Sequence, residues 1–351
     1  MKPLHNPVSI STTSVRLNPN ARLLANLAKI LPTFAAGLFA LLTAAPSHAA
    51  TAALPLLAAG GVHSLYVTSD GKLWAMGDNS YGQLGDGTTT DRTTPVQVMV
   101  APGVPATNVI AVAAGQDHSL YVTSDGKLWA MGDNSCGQLG DGTTTGSPWP
   151  VQVMASPGVP VTNVTAVAAG YNHSLYVTSD RKLWAMGSNW AGQLGDGTIT
   201  DRALPVQVMA SPGVPVANVT AVAAGGDHSL FIKSDETLWG VGWNFTGQLG
   251  NGTTSGFYAS TVPTQVRISS GVAATNVIAV AAGHDHSLYM TGDGKLWAMG
   301  DNSYGQLGDG PATGSPWPVQ IMASPGVPVT NAIAIAVGWD HNLYIEPVPR
   351  K

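Results

Sequence analysis

The 351-residue chain combines 44% hydrophobic residues with only 10% charged residues, and its formal net charge is −5. This apolar content can offset chain entropy and excludes a disordered chain. The acidic balance disfavours nucleic acids and anionic membranes as partners, since both require a basic footprint. The 42 Gly and 24 Pro argue against a helical enzyme, and the single cysteine, Cys136, excludes an internal disulfide.

Residues 1–49 have the features of an export signal. They hold four of the 15 Lys and Arg and none of the 20 Asp and Glu. The apolar run Phe34–Ala45 is too short to span a bilayer comfortably. The small residues of "SHA" at 47–49 predict cleavage before Ala50, which would leave 11 basic against 20 acidic residues, a net charge of −9. We expect an exported chain, periplasmic or extracellular, with no membrane segment after cleavage; an uncleaved anchor is the alternative.

The rest of the chain is repetitive, and the stretch "LWAMGDNSYGQLGDG" occurs unchanged at 73–87 and at 296–310. The spacing between copies is 55 residues, with one step of 58 that places three extra residues near 256–260. One histidine marks each copy: His63, His118, His173, His228, His286 and His341. Repeats of this length are typical of propellers and solenoids.

A single unit, residues 108–153, predicts four short strands. They are Val109–Ala114, His118–Thr123 after a "GQD" turn, Lys127–Met131 after an Asp-Gly hairpin, and Val151–Val153 after a Gly-rich loop. Four meandering strands repeated radially form the blade of a β-propeller. The small first strand suits the axis, and the Trp on the third strand suits the wedge between diverging blades. The sequence therefore predicts an all-β propeller of four-stranded blades.

The unit resembles the regulator-of-chromosome-condensation repeat. The motifs that carry the resemblance are "AAGxxHSL" followed by "LWxxGxNxxGQLGxG", and they recur across nearly all of residues 54–346. The resemblance implies a propeller, usually of seven blades. We expect this domain over residues 50–351, with units near 54–98, 108–153, 163–208, 218–266, 276–321 and a partial unit at 331–346.

The number of blades departs from that pattern, because the inner half of the motif occurs six times and the Trp-bearing outer half five times. We therefore predict six blades, of which the last has only two strands. The ring closing as six is the favoured interpretation; an open ring and a truncated gene are the alternatives.

The repeated polar residues do not predict a catalytic, metal-binding or phosphate-binding site. One His per blade places the histidines around a ring, too far apart to share a metal ion, so we expect them to hydrogen-bond the turn beside each first strand. The loop "GDNSYGQLGDG" lacks the Lys-Ser/Thr of a phosphate loop and the spacing of a calcium loop. We expect no catalytic residue, no metal and no cofactor, and we interpret Cys136 as a packing residue.

Two positions vary between otherwise matching copies, namely the pair before each repeat histidine. Aromatic side chains and several Asp occur there, in turns expected at one end of the propeller near the axis. The predicted binding residues of this axial face are Asp117, Tyr171, Asn172, Asp227, His284, Asp285, Trp339 and Asp340. Neutral drift of solvent-exposed positions is the alternative. A second variable pair in the long loop is interpreted as one aromatic residue per copy packed beside the following Gly.

These features favour a monomeric, exported, non-enzymatic module that binds an unidentified protein or peptide through the axial face. Propeller-type β-lactamase inhibitor proteins are similar in fold, and this resemblance implies such a binding mode. The repeat family also implies guanine nucleotide exchange on a small GTPase, which export and the acidic balance argue against. A propeller hydrolase or lyase is the third hypothesis, because Asp117, Asp227, Asp285 and Asp340 surround the face.

Overall fold

The computed structural model describes residues 56–255 and 260–347, and over these residues the fold is all-β. The predicted export signal and its cleavage site lie outside the described residues. No helix among the described residues is long and apolar enough to cross a bilayer.

Five four-stranded antiparallel sheets, each a simple meander, follow one another along the chain and form blades one to five. Their strands are β1 Leu57–Ala59, β2 His63–Val67, β3 Leu73–Gly77 and β4 Arg92–Gln97; β7 Val109–Ala114, β8 His118–Thr123, β9 Leu128–Gly132 and β10 Ser147–Gln152; β13 Val164–Ala169, β14 His173–Thr178, β15 Leu183–Gly187 and β16 Arg202–Gln207; β19 Val219–Ala224, β20 His228–Lys233, β21 Leu238–Gly242 and β22 Ser260–Gln265; and β25 Val277–Ala282, β26 His286–Thr291, β27 Leu296–Gly300 and β28 Ser315–Gln320. The sixth blade is a two-stranded sheet, as predicted, of β31 Ala334–Val337 and β32 Asn342–Ile345.

Small two-stranded hairpins link consecutive blades. They are β5 Met99–Ala101 with β6 Val104–Pro105, β11 Met154–Ser156 with β12 Val159–Pro160, β17 Met209–Ser211 with β18 Val214–Pro215, β23 Arg267–Ser269 with β24 Val272–Ala273, and β29 Met322–Ser324 with β30 Val327–Pro328. In the second blade the fourth strand is longer than predicted. It begins at Ser147, because a register shift between Ser147 and Val151 lets it continue along β9 across a bulge.

The core is divided into clusters that lie between neighbouring blades. In one of them, Leu65 and Leu73 of the first blade pack against Tyr121 and Met131 of the second. Tyr121 stacks on Trp129 of its own blade at 6.2 Å between ring centroids. Because both faces of an inner sheet are buried in this way, its strands do not need to alternate polar and apolar residues.

The repeat histidines join neighbouring blades. The sequence predicts that their rings hydrogen-bond the turn beside each first strand, but in the first to the fifth blade the Nε2 atom of the ring instead contacts a side chain of the next blade. His118 Nε2 lies 2.9 Å from Ser174 Oγ, and that hydroxyl lies 2.8 Å from Gln138 O. A carbonyl can only accept, so the serine donates to Gln138 O and accepts from a protonated Nε2 of His118. Burial lowers the pKa of His118 to about 3, so the ring is neutral. We call this arrangement the His–Ser clasp.

The clasp recurs from blade to blade. Equivalent histidine–serine contacts of 2.7 to 3.0 Å join His63 to Ser119, His173 to Ser229 and His228 to Ser287, while His286 contacts Asn342 Oδ1 at 2.8 Å. Among the described residues, neither a clasp nor a backbone hydrogen bond joins the sixth blade to the first. Side chains there are half-buried, such as Tyr66 and Leu343, whereas Tyr121 and Leu288 are fully buried. A seam therefore separates the sixth blade from the first.

Candidate functional site

One end of the propeller carries the turns between the first and second strands and the long loops between the third and fourth strands; we call it the axial face. The strands run antiparallel within each blade, so the hairpins between second and third strands lie at the opposite end, the hairpin end. Both of the variable pairs in the sequence are on the axial face.

The turns are tied to one another around the axis by backbone hydrogen bonds. Gly61 N donates to Gly115 O at 3.0 Å, Tyr171 N to Gly225 O at 3.3 Å and His284 N to Trp339 O at 3.1 Å. The first residue of each variable pair lines a shallow central depression at the axis. The glycines of these turns are required for the close approach, because a Cβ on Gly115 would lie 2.5 Å from Gly170 O.

Three of the predicted binding residues meet at the mouth of this depression. The ring of Trp339 lies 6.1 Å from that of Tyr171 and 5.1 Å from that of His284, and Tyr171 and His284 lie 6.1 Å apart. These residues come from the third, fifth and sixth blades, and Trp339 is 38% exposed. We call them the axial aromatic cluster.

In three of the pairs the second residue accepts a hydrogen bond from the long loop of the preceding blade and does not line the depression. Asp285 Oδ1 accepts from Gln248 Nε2 at 3.1 Å, and Asn172 Oδ1 accepts from Gln138 Nε2 at 3.5 Å. Asp227 Oδ1 accepts from Gln193 Nε2 at 3.0 Å. The predicted set thus divides into an inner aromatic group and an outer group of carboxylates and one amide.

The carboxylates experience burial and mutual repulsion. Burial, together with the charges of Asp78 and Asp133, raises the pKa of Asp117 to about 6. Burial also raises the pKa of Asp227 and of Asp340 above the usual range. His284 Nδ1 lies 2.8 Å from Asp285 Oδ2, and this hydrogen bond raises the pKa of His284. Burial raises the pKa of Asp285, but the hydrogen bond to His284 and the charges of His284, His228 and His286 together outweigh it and leave that pKa below its usual value.

A second group of aromatic residues lies on the long loops of the third and fourth blades. Trp190 lies 5.1 Å from Trp243 and Trp243 lies 5.8 Å from Phe245, measured between ring centroids. Trp190 Nε1 donates to Asp227 Oδ1 at 3.0 Å, which connects this outer aromatic cluster to the carboxylate group. Trp190 is 53% exposed and Phe245 49%.

The sequence predicts that one aromatic side chain per long loop packs beside the following Gly. This prediction is wrong, because about half or more of the surface of these side chains is exposed. Tyr81 and Tyr304 are 52% and 67% exposed. Sequence reasoning also missed Trp243, although a signal was present: the matching copies have Asp78, Asp133, Ser188 and Asp301 at that position. Cys136 occupies the loop position that Tyr81 and Tyr304 occupy in their copies, and it is half-buried. Burial raises the pKa of its thiol, which leaves it a poor nucleophile.

Other polar residues of the long loops are occupied in holding those loops. Asn79 Nδ2 donates to Asp86 Oδ1 at 3.2 Å and to Thr88 O at 3.0 Å, while its Oδ1 accepts from Leu84 N at 2.9 Å. Arg92 pairs with Asp86 at 2.6 Å. Among the described residues no group of three or more His, Cys, Asp or Glu is arranged to hold a metal ion.

Charge is distributed unequally between the two ends. Among the described residues, the turns and loops of the axial face hold 13 Asp, and the only Lys or Arg beside them are Arg92 and Arg202, at the starts of two fourth strands. His284 also contacts one of these carboxylates, Asp285, at 2.8 Å. The 13 are Asp78, Asp86, Asp91, Asp117, Asp133, Asp141, Asp196, Asp201, Asp227, Asp285, Asp301, Asp309 and Asp340. The hairpin end is nearly balanced, with six acidic residues and five basic ones in its strand-connecting hairpins and Lys233 at the end of β20.

These features define a β-propeller with an acidic, aromatic face. A family model described as RCC1-like domain matches residues 40–347, and the chain belongs to that family. The Ultraviolet-B receptor UVR8 of Arabidopsis thaliana is 30% identical over 287 residues, which are 82% of this chain and 61% of the receptor. The probable E3 ubiquitin-protein ligase HERC6 of Homo sapiens is 34% identical over 261 residues, which are 72% of this chain and 24% of the ligase. The chain therefore spans less than two thirds of each of these relatives.

Solved structures share the fold. Human WBSCR16 matches with a TM-score of 0.69 at 27% identity, covering 84% of this chain and 72% of that one. Prp20p of Saccharomyces cerevisiae, whose structure was described together with its binding to Gsp1p and histones, matches with a TM-score of 0.57 at 19% identity, covering 84% and 82%.

Proposed function

We propose that this chain is an exported, non-enzymatic module that binds a protein or peptide through the axial face. The observation that carries the proposal is the pair of half-exposed aromatic clusters, which come together from separate blades on one face. Large aromatic side chains at the centre of a contact surface contribute much of the energy of protein–protein binding. A propeller of the same family, Prp20p, is described as binding Gsp1p and histones, which supports a protein as the partner.

The buried Ser–His contacts do not favour an enzyme. Ser174 and His118 are both fully buried, and the serine donates its proton to a carbonyl rather than to the histidine. A nucleophilic serine requires the opposite arrangement, with its hydroxyl donating to the base and open to the substrate. We therefore assign these pairs a role in joining the blades.

A capture experiment tests the proposal. The purified chain is immobilised beside a Tyr171→Ala, Trp339→Ala variant and beside a control with exposed apolar residues removed from the inter-blade hairpins, Val159→Ala and Val214→Ala. Envelope and extracellular material of the producing cell is passed over all three, and retained proteins are identified by mass spectrometry.

A partner retained by the parent chain and the control, and lost by the axial variant with its circular dichroism unchanged, supports the proposal. Equal retention by all three chains refutes the axial face as the binding surface. Export is tested separately: the mature protein should begin at Ala50, and an intact residue 1 in the exported fraction would refute cleavage there.

A further inference from the structure

We propose that the axial face recognises a cationic segment, namely a peptide with arginine or lysine side chains that lie over the exposed aromatic rings and pair with the neighbouring aspartates. This inference rests on the proposed binding function and names the chemistry of its partner. Three features of the described residues support it.

The first feature is the unbalanced charge of the face. Arg92 and Arg202 are already paired, with Asp86 at 2.6 Å and Asp196 at 2.7 Å, so neither neutralises the carboxylates near the axis. At the hairpin end, by contrast, lysines pair locally, as Lys127 does with Asp125 at 2.7 Å. The same chain therefore neutralises its carboxylates at one end and leaves them in excess at the other.

The second feature is the position of aromatic rings beside those carboxylates. The indole of Trp190 is tied to Asp227 by its N–H, which holds the ring next to a carboxylate while half of its surface stays exposed. The axial aromatic cluster also has a carboxylate beside its rings, because His284 contacts both the ring of Trp339 and the carboxylate of Asp285. A cation over an aromatic face with a carboxylate nearby gains from both interactions, and arginine is well suited to such a site.

The third feature is the cost of the alternatives. A neutral apolar partner would remove water from Asp227 and Asp340, which are partly buried already, without supplying a compensating charge. An acidic partner would add repulsion to a face where carboxylates already raise one another's pKa, as Asp78 and Asp133 do for Asp117. A cation relieves both costs, so it is the ligand chemistry that complements this face.

The test uses the full chain and a fluorescein-labelled peptide library in which arginine occupies fixed positions and the others vary. A matched library has citrulline, which is nearly isosteric and uncharged, at the same positions. We expect the arginine library to bind at least tenfold more tightly, with affinity that falls as salt increases.

Two variants remove the same amount of charge from opposite ends. Asp227→Asn with Asp340→Asn should weaken arginine binding about tenfold, whereas Asp125→Asn with Asp293→Asn should leave it unchanged. Equal binding of the arginine and citrulline libraries, or equal losses in the two variants, would overturn the inference.

The inference can fail while the proposed function stands. If the capture experiment retains a partner that the Tyr171→Ala, Trp339→Ala variant loses, but the arginine library binds no better than citrulline, the face binds a protein and the cationic chemistry is wrong. Binding of the arginine library that is also unaffected by the Tyr171→Ala, Trp339→Ala variant would refute the aromatic part of the site.

Discussion

Replacing Ser174 by alanine tests the His–Ser clasp that joins the blades. Ser174 is fully buried, and its hydroxyl both accepts from His118 Nε2 and donates to Gln138 O. The substitution removes one oxygen and leaves a buried N–H and a buried C=O without that partner. It removes no apolar group, so the change in stability reports on the polar contacts alone.

The magnitude follows from those two groups. A buried polar group left unsatisfied costs about 1–3 kcal/mol, so Ser174→Ala should lower the free energy of unfolding by about 2–4 kcal/mol. Ser64 provides a matched control, because it occupies the same position in the same "HSLYV" strand. It lies at the seam, is only partly buried, and has no histidine partner among the described residues. Ser64→Ala should therefore change stability by less than about 0.5 kcal/mol.

The assay is urea denaturation followed by tryptophan fluorescence and by circular dichroism, with coincident curves required for a two-state analysis. A difference between the two variants of less than about 0.5 kcal/mol would refute the clasp as a stabilising contact. A nitrogen chemical shift for His118 Nδ1 typical of a protonated nitrogen would refute the assigned tautomer, in which Nε2 carries the proton.

Three further predictions follow from burial and charge. Burial lowers the pKa of four clasp histidines to about 3 and that of His286 to about 4, so unfolding takes up protons. The contribution of these histidines to stability should be complete above a pH of about 6.5 and should decrease as the pH falls towards the folded-state pKa values. At pH 5 the loss should be about 2 kcal/mol per histidine. Urea midpoints that stay constant from pH 7 to pH 4 would contradict this. Asp117 has the opposite sign: because its pKa is raised in the folded chain, stability falls as the pH rises from about 4 to about 6, and the loss is complete above that value. Asp117→Asn should raise the free energy of unfolding at pH 7.5 by about 1 kcal/mol, after allowance for solvent screening, and should have little effect at pH 4, as urea titrations at the two pH values would show. Gly115→Ala should lower the free energy of unfolding by more than about 3 kcal/mol, because the new Cβ would lie 2.5 Å from Gly170 O. Gly158→Ala should lower it by only about 1 kcal/mol, through its positive φ, because no atom lies within 4 Å of the new Cβ. Equal shifts in melting temperature for the two variants would refute the close approach at Gly115.

Local structure could be predicted from the sequence because each repeat encodes the same short-range signals. Strands β7 and β8 have the predicted bounds, and the two-stranded sixth blade follows from the missing Trp-bearing half of the motif. The position of Tyr171, His284 and Trp339 near the axis also follows, since each precedes its repeat histidine by two residues in a turn whose place in the blade is the same in every copy.

Contacts between blades were decided by the tertiary structure. The clasp joins His118 to a serine 56 residues away, one repeat plus one residue, and no local pattern indicates that pairing. The bond from Trp190 to Asp227 spans 37 residues and depends on how a long loop of one blade lies over the turn of the next. The partial burial of side chains at the seam likewise depends on how the sheet of the sixth blade lies against that of the first. A repeat encodes a blade through short-range interactions, whereas the relation between blades is set by the angle at which their side chains pack, and that angle is a property of the assembled ring.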